Sequence, residues 1–152
     1  MNTDQKMNTD QLIEKTIHDV FENMYFMFPE RTRLSPDIFS FPISCYMAQT
    51  QLIKDSQSFD LYGDNNLVNK MAMNFLGEKR AFEHVELIDI FREATNVIIG
   101  NYLSAINKPL KVRFNIPSVS TKTILTCEKD QFYDIDQVYI IENYFFRIAL
   151  TG

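Results

Sequence analysis

Residues 85–106 of this 152-residue chain, VELIDIFREATNVIIGNYLSAI, constrain its fold more than any other stretch. Apolar residues recur there at helical spacing around most of the circumference. Leu87, Phe91, Ala94, Ile98, Tyr102 and Ala105 cluster on one side, with Ile88, Ile90, Val97, Ile99 and Ile106 on the flanks. A helix this apolar has to be covered on several sides, so the chain must build layers around it. What is left uncovered is one stripe, about 60° wide, holding Asp89, Glu93, Asn96 and Gly100 at i, i+4, i+7 and i+11. Gly100 costs about 1 kcal/mol there relative to alanine, and its missing side chain leaves room for another backbone or a protein partner. Two readings of the stripe stand open on geometry alone: an ordinary solvated face, or a face held out for use.

The elements around it follow from periodicity and punctuation. Leu12, Ile13, Ile17, Val20, Phe21, Met24 and Phe28 predict a helix from about Asp10 to Phe28, capped by Thr9 or Asp10 and closed by Pro29. Residues 38–53 read as a strand with Pro42 near its start, and SQSFDLYGD as a second. Asp64 caps a helix over Asn65–Leu76, and Gly77 sits where a C′ glycine belongs. After the long helix, ended by Asn107 and Pro109, come three strand signals. KVRFNIPSVS alternates with Val112, Phe114 and Ile116 on one face, Thr123–Cys127 is short, and VYII-EN-YFFRIAL is a hairpin across Glu142-Asn143. The order predicts an α+β fold, helices packed on a largely antiparallel sheet.

Composition removes several classes of function. A net charge of −5, with Lys and Arg spread singly or in pairs, lacks the concentrated basic surface that nucleic acid requires. No apolar run reaches the roughly 18 residues of a membrane span, so no membrane insertion is expected. The polar start MNTDQKMNTDQ is not a signal peptide. It reads as a flexible tail over residues 1–10, ahead of a single domain over 11–152. Cys45 and Cys127 lie far apart without metal-ligand spacing, which predicts reduced thiols and a cytoplasmic protein. His18 and His84 are isolated, and no His/carboxylate cluster suggests a metal of the chain's own. The aromatic run MYFMF, residues 24–28, predicts core or dimer packing.

The stretch ELIDIFREATNVIIGNYLSAI, followed by FNIPSVS, resembles the CheC/CheX/FliY family of chemotaxis phosphatases, closest to its CheX-type, single-site branch. The family signature is an Asp or Ser, three residues, Glu, two residues, Asn, and a proline somewhat over twenty residues on. Those positions here are Asp89, Glu93, Asn96 and Pro117. Double-site members carry the motif on two related helices. The first helix of this chain offers Asp19, Glu22 and Asn23 but no second ExxN, so one site is expected.

The resemblance implies a substrate that is itself a protein, the aspartyl phosphate of a CheY-like response regulator. It implies Glu93 and Asn96 as the catalytic pair, with Asn96 orienting the attacking water and Glu93 pairing with a lysine of the regulator. Asp89 and Gly100 would orient and admit the partner. No cofactor belongs to the chain itself; Mg2+ would sit in the regulator. The branch also implies a homodimer, for which the aromatic C-terminal strand would offer a suitable edge. The alternative within the same fold is a domain that binds a response regulator or a flagellar-switch component without hydrolysing anything.

Overall fold

The computed structural model of the chain describes residues 8–33, 42–53, 56–106, 113–125 and 133–152. Asn8 opens the first helix. Its side chain accepts from the Gln11 N–H at 2.8 Å, and the Gln11 side chain accepts from the Asn8 N–H at 3.2 Å. This reciprocal pair starts α1 (Thr9–Met24). The cap is therefore Asn8 rather than Thr9 or Asp10, and the predicted tail boundary at residue 10 falls inside the first helical turn. The helix ends at Met24, short of the predicted Phe28, because Phe26 takes a left-handed φ of 55° that no α-helix continues. Pro29 opens a short strand that periodicity does not reveal, β1 (Pro29–Thr32).

The other strands are β2 (Pro42–Gln51), β3 (Ser58–Asp64), β4 (Ser118–Leu125), β5 (Ile135–Ile141) and β6 (Tyr144–Thr151). They form one six-stranded sheet in the order β1-β5-β6-β3-β2-β4, and every neighbouring pair is antiparallel. The predicted β5–β6 hairpin is present, with Glu142 and Asn143 at φ 50° and 70°, the doubly left-handed turn that matches strand twist even without glycine. α2 (Asn65–Leu76) has the predicted ends: Asp64 accepts from the Asn66 N–H at 2.8 Å, and Gly77 takes φ 69°. α3 (His84–Ala105) is the long apolar helix.

Among the described residues three helices thus lie on one antiparallel sheet, the expected α+β class. Ile17 and Phe21 of α1, Val68 and Met71 of α2, and Phe91 and Ile98 of α3 share one core with Ala48, Leu61, Phe146 and Ile148 of the sheet. The MYFMF run divides. Tyr25 and Met27 are buried in that core, whereas Phe26 and Phe28 are exposed.

Two strand expectations change. The described part of KVRFNIPSVS is not one strand: Phe114 makes only an isolated bridge to Leu52, and the ladder begins at Ser118. Pro117 has no N–H to give a ladder, so the strand starts after it and continues to Leu125 without the predicted break. Val112, Asn107, Pro109 and Cys127 lie outside the described residues. The C-terminal strand is also not an edge. β6 lies between β5 and β3, and Phe145 to Leu150 are buried on both faces, which is why it reads as apolar except at Arg147, itself buried and paired with Asp136 of β5. Among the described strands the edges are β1 and β4.

A polar cluster seats β1 and α1 on this frame. Arg31 of β1 donates to Asp10 at 2.7 and 2.9 Å and to Glu14 at 2.7 Å. The buried Gln137 of β5 donates to the Asp10 carbonyl at 2.8 Å and its carboxylate at 3.0 Å, and accepts from Tyr139. The Arg31 guanidinium holds the Asp10 carboxyl below its ordinary 3.8, outweighing the opposing effect of partial burial. A carboxylate depressed on folding contributes stability above its unfolded pKa and loses it as pH falls through the folded one. Acidification below the ordinary carboxylate value should therefore lower Tm, and Asp10→Asn should flatten that acid limb while lowering Tm at neutral pH. Thermal unfolding monitored by circular dichroism from pH 7 to pH 2.5 tests this.

Candidate active site

The geometry of α3 begins with how its ends are held. The Glu83 N–H donates to Glu86 Oε2 at 2.7 Å, and Arg80 grips the same carboxylate at 2.9 and 3.1 Å while lying 4.0 Å over the Phe82 ring. Asn69 of α2 accepts from the Phe82 N–H at 3.2 Å, which ties the lead-in of α3 to α2. Deeper in, Gly63 of β3 lets the helix come close. A Cβ at that position would lie 2.7 Å from Phe91 Cε1 and 3.2 Å from Val68 Cγ2, well inside contact distance. The ring of Phe91 occupies the space of a side chain that β3 does not have.

Around this seated helix the predicted stripe is the uncovered one. Leu87, Phe91, Ala94, Ile98 and Tyr102 are buried; Asp89 and Glu93 are exposed; Asn96 and Gly100 are half-buried. From Asp89 to Gly100 the seam is about 16 Å long at the helical rise. Its four residues are not equivalent. Asp89 is ion-paired three residues along to Arg92 at 3.0 Å, and Arg92 Nε donates to the Pro117 carbonyl at 3.1 Å. Asp89 and Pro117 of the four-residue pattern are thereby joined through one guanidinium. Among the described residues no hydrogen bond holds the Glu93 carboxylate or the Asn96 amide. Glu93 does reach one neighbour through space. Burial first, and then the negative charge of Glu93, hold the Tyr25 hydroxyl well above the ordinary tyrosine range, so it stays protonated. At Gly100 an added Cβ would meet nothing within 4 Å.

This arrangement offers a carboxylate and an amide, one turn apart on a rigid support, with their hydrogen-bonding capacity free for an incoming molecule. Other chemically equipped side chains are engaged elsewhere. The buried Cys45 thiol is pushed up to about 12, by burial and then by the charge of Asp64, so it offers no thiolate. His84 Nδ1 meets the Tyr46 hydroxyl at 2.9 Å, and His18 lies 3.7 Å from Glu22. Among the described residues no group of three or more His, Cys, Asp or Glu is placed to hold a metal ion, and no helix is long and apolar enough to cross a membrane. Arg92 was not singled out in the sequence, and Tyr25 only as part of the aromatic run. The i, i+3 spacing of Asp89 and Arg92 is a visible signal for the first; nothing local marks the second.

Comparison with known proteins agrees with this picture. Residues 56–136, more than half of the chain, match the family model described as chemotaxis phosphatase CheX. None of the curated proteins matches the chain by sequence. Among solved structures, the chain is similar to chemotaxis protein CheX from Vibrio vulnificus (TM-score 0.71, 14% identity, covering 95% of this chain and 97% of that one). It is also similar to CheX of Borrelia burgdorferi, solved as a complex with CheY, BeF3 and Mg2+ (TM-score 0.62, 10% identity, 96% and 98% covered). A third similar structure is FliY from Thermotoga maritima (TM-score 0.58, 9% identity, 95% and 90% covered). At these identities the likeness is one of fold.

The open space at Gly100 has a measurable consequence. Gly100→Ala should stabilise the isolated protein by roughly 1 kcal/mol, because a mid-helix glycine is replaced where nothing obstructs a methyl group. Calorimetry should show Tm rising by about 2–4 °C. A fall in Tm would mean that the position is crowded.

Proposed function

The chain belongs to the CheX family of chemotaxis phosphatases, and on that premise we propose that it hydrolyses the aspartyl phosphate of a CheY-like response regulator with Glu93 and Asn96. The observation that carries this reading is the pair itself: an exposed carboxylate and a half-buried amide, one turn apart, neither held by another described side chain. Hydrolysis of an acyl phosphate requires a water in line with the scissile bond and stabilisation of charge on the transferring phosphoryl group. In this scheme the regulator brings the charge stabilisation, through its own lysine and a bound Mg2+. The phosphatase adds the water. The Asn96 amide donates and accepts at once, so it can orient a neutral water without taking its proton. Glu93, toward the N-terminal end of the same seam, pairs with the regulator's lysine and fixes the depth of insertion.

The Borrelia burgdorferi relative supports the choice of partner, since its complex joins CheX to CheY in the presence of BeF3 and Mg2+. A regulator of that kind places the reaction in the cytoplasm. Asp89 serves orientation through Arg92, and Gly100 admits the partner's backbone. A homodimer, if formed by strand addition, would use β1 or β4, since β6 is interior.

Phosphate release from a phosphorylated CheY-like receiver tests the reading, with wild type, Asn96→Ala and Glu93→Ala compared. Loss of the oriented water should slow hydrolysis by tens to thousands of fold, about 2–4 kcal/mol as for other positioned polar groups in active sites. Glu93→Ala should weaken binding as well. Wild-type binding without acceleration across several receivers would make the seam a docking surface of a non-catalytic regulator-binding or flagellar-switch domain.

A further inference from the structure

Arg92 does more than pair with Asp89. It fixes the Pro117 carbonyl to the seam's own turn of α3 at 3.1 Å. Two residues earlier, Asn115 is fixed to β2: its N–H donates to the Gln51 carbonyl at 3.0 Å and its carbonyl accepts from Thr50 Oγ1. Ile116 stands between these two anchor points. Its backbone is further confined to extended conformations by the proline that follows. The side chain is nonetheless 80% exposed, the most exposed large hydrophobic side chain among the described residues. Val85, one turn before Asp89 on the same side of α3, is 63% exposed. A single surface isoleucine is ordinary. Here two aliphatic side chains border one polar turn, and one of them is held outward by hydrogen bonds on both sides.

We infer that Ile116 and Val85 form the apolar grip on the same receiver domain whose phosphoaspartate the seam addresses. The inference rests on the function proposed above and adds the source of affinity. Glu93 and Asn96 are polar groups whose partners must desolvate, so they orient better than they bind. Aliphatic side chains that lose water on docking supply what the seam lacks, provided they are already in position. Charge selects the occupant. A second copy of this chain laid symmetrically on the face would offer Asp89 and Glu93 more carboxylates and an Arg92 already engaged by Asp89 and the Pro117 carbonyl. A receiver whose phosphate pocket holds a lysine and Mg2+ presents cations to them, with the rim of that pocket left to meet Ile116 and Val85.

The test is a titration of wild type, Ile116→Ser, Val85→Ser and the double variant against a CheY-like receiver held in its activated form by beryllium fluoride and Mg2+. Steady-state phosphate release from the phosphorylated receiver and sedimentation of each variant alone accompany it. Both residues are exposed, so the variants should fold as wild type does. Ile116→Ser should raise Kd roughly tenfold to a hundredfold, as expected for losing burial of one aliphatic side chain. KM should rise by the same factor, with the loss falling on KM rather than kcat, and Ile116→Leu should restore both. Wild-type affinity in Ile116→Ser and the double variant overturns the grip and leaves the phosphatase reading in place. So does a loss confined to kcat, or one confined to the sedimenting mass, which would assign the face to a second copy of the chain. Wild type that neither binds nor hydrolyses removes the grip and the proposed function together.

Discussion

The contact on which the rest of this molecule depends is the one between Phe91 and the bare backbone of Gly63. β3 is central in the sheet, paired on one side with β2 and on the other with β6, so its face is the floor of the main core. Removing one side chain from that floor makes a notch, and the ring of Phe91 fills it while Val68 of α2 closes in beside it. Two helices are thereby indexed to one strand position. Rotating α3 about its axis would pull the ring from the notch and expose apolar flanks, so the direction in which the polar seam points is set from beneath. Orientation of Glu93 and Asn96 is thus a property of the core, although neither residue belongs to it.

Around this axis the polar groups of α3 fall into two kinds. Arg80 with Glu86, Thr95 with the Phe91 carbonyl, and Arg92 with Asp89 and Pro117 spend their hydrogen bonds inside the molecule. Glu93 and Asn96 keep theirs unspent among the described residues. The first kind stiffens the support, and the second stays available at the surface. In the function proposed above, preorganisation of this sort means that the cost of ordering is met in folding rather than at the encounter.

Legibility in the sequence tracked how local each cause was. Asp64 and Gly77 announce α2 within their own turns, and Glu142-Asn143 announces the hairpin, so those elements fall where punctuation puts them. The seam was legible because helical periodicity alone generates it; the use proposed for it came only with the family pattern. The sheet order was not legible. PERT is too short and polar to signal a strand, and it becomes β1 by pairing with β5, far along the chain, while Arg31 ties it to Asp10 and Glu14. An interior strand and a sticky edge both read as apolar, so β6 was placed at the wrong position in the sheet. Phe114 to Pro117 alternates like a strand, yet the segment is shaped by Thr50, Gln51 and Arg92, all distant in sequence. Gly63 itself carries no mark that distinguishes it from any other glycine.

The placement of β6 also bears on when the fold can be completed. Among the described strands β1 has a single partner, β5, and Gln137 of β5 reaches Asp10 across 127 residues. α1 and β1 are therefore synthesised well before the strands that will receive them. During that interval β2, β3, β4, α2 and α3 can associate and α1 can meet α3, but Phe21 still lacks Phe146 of β6, and the core it shares with Ile13 and Ile17 still lacks Ile148. Contacts of such long range are costly to close and slow to form. An emerging chain of this topology leaves its first helix only partly covered until the last hairpin is made, and in the cell that interval is when a chaperone has most to bind.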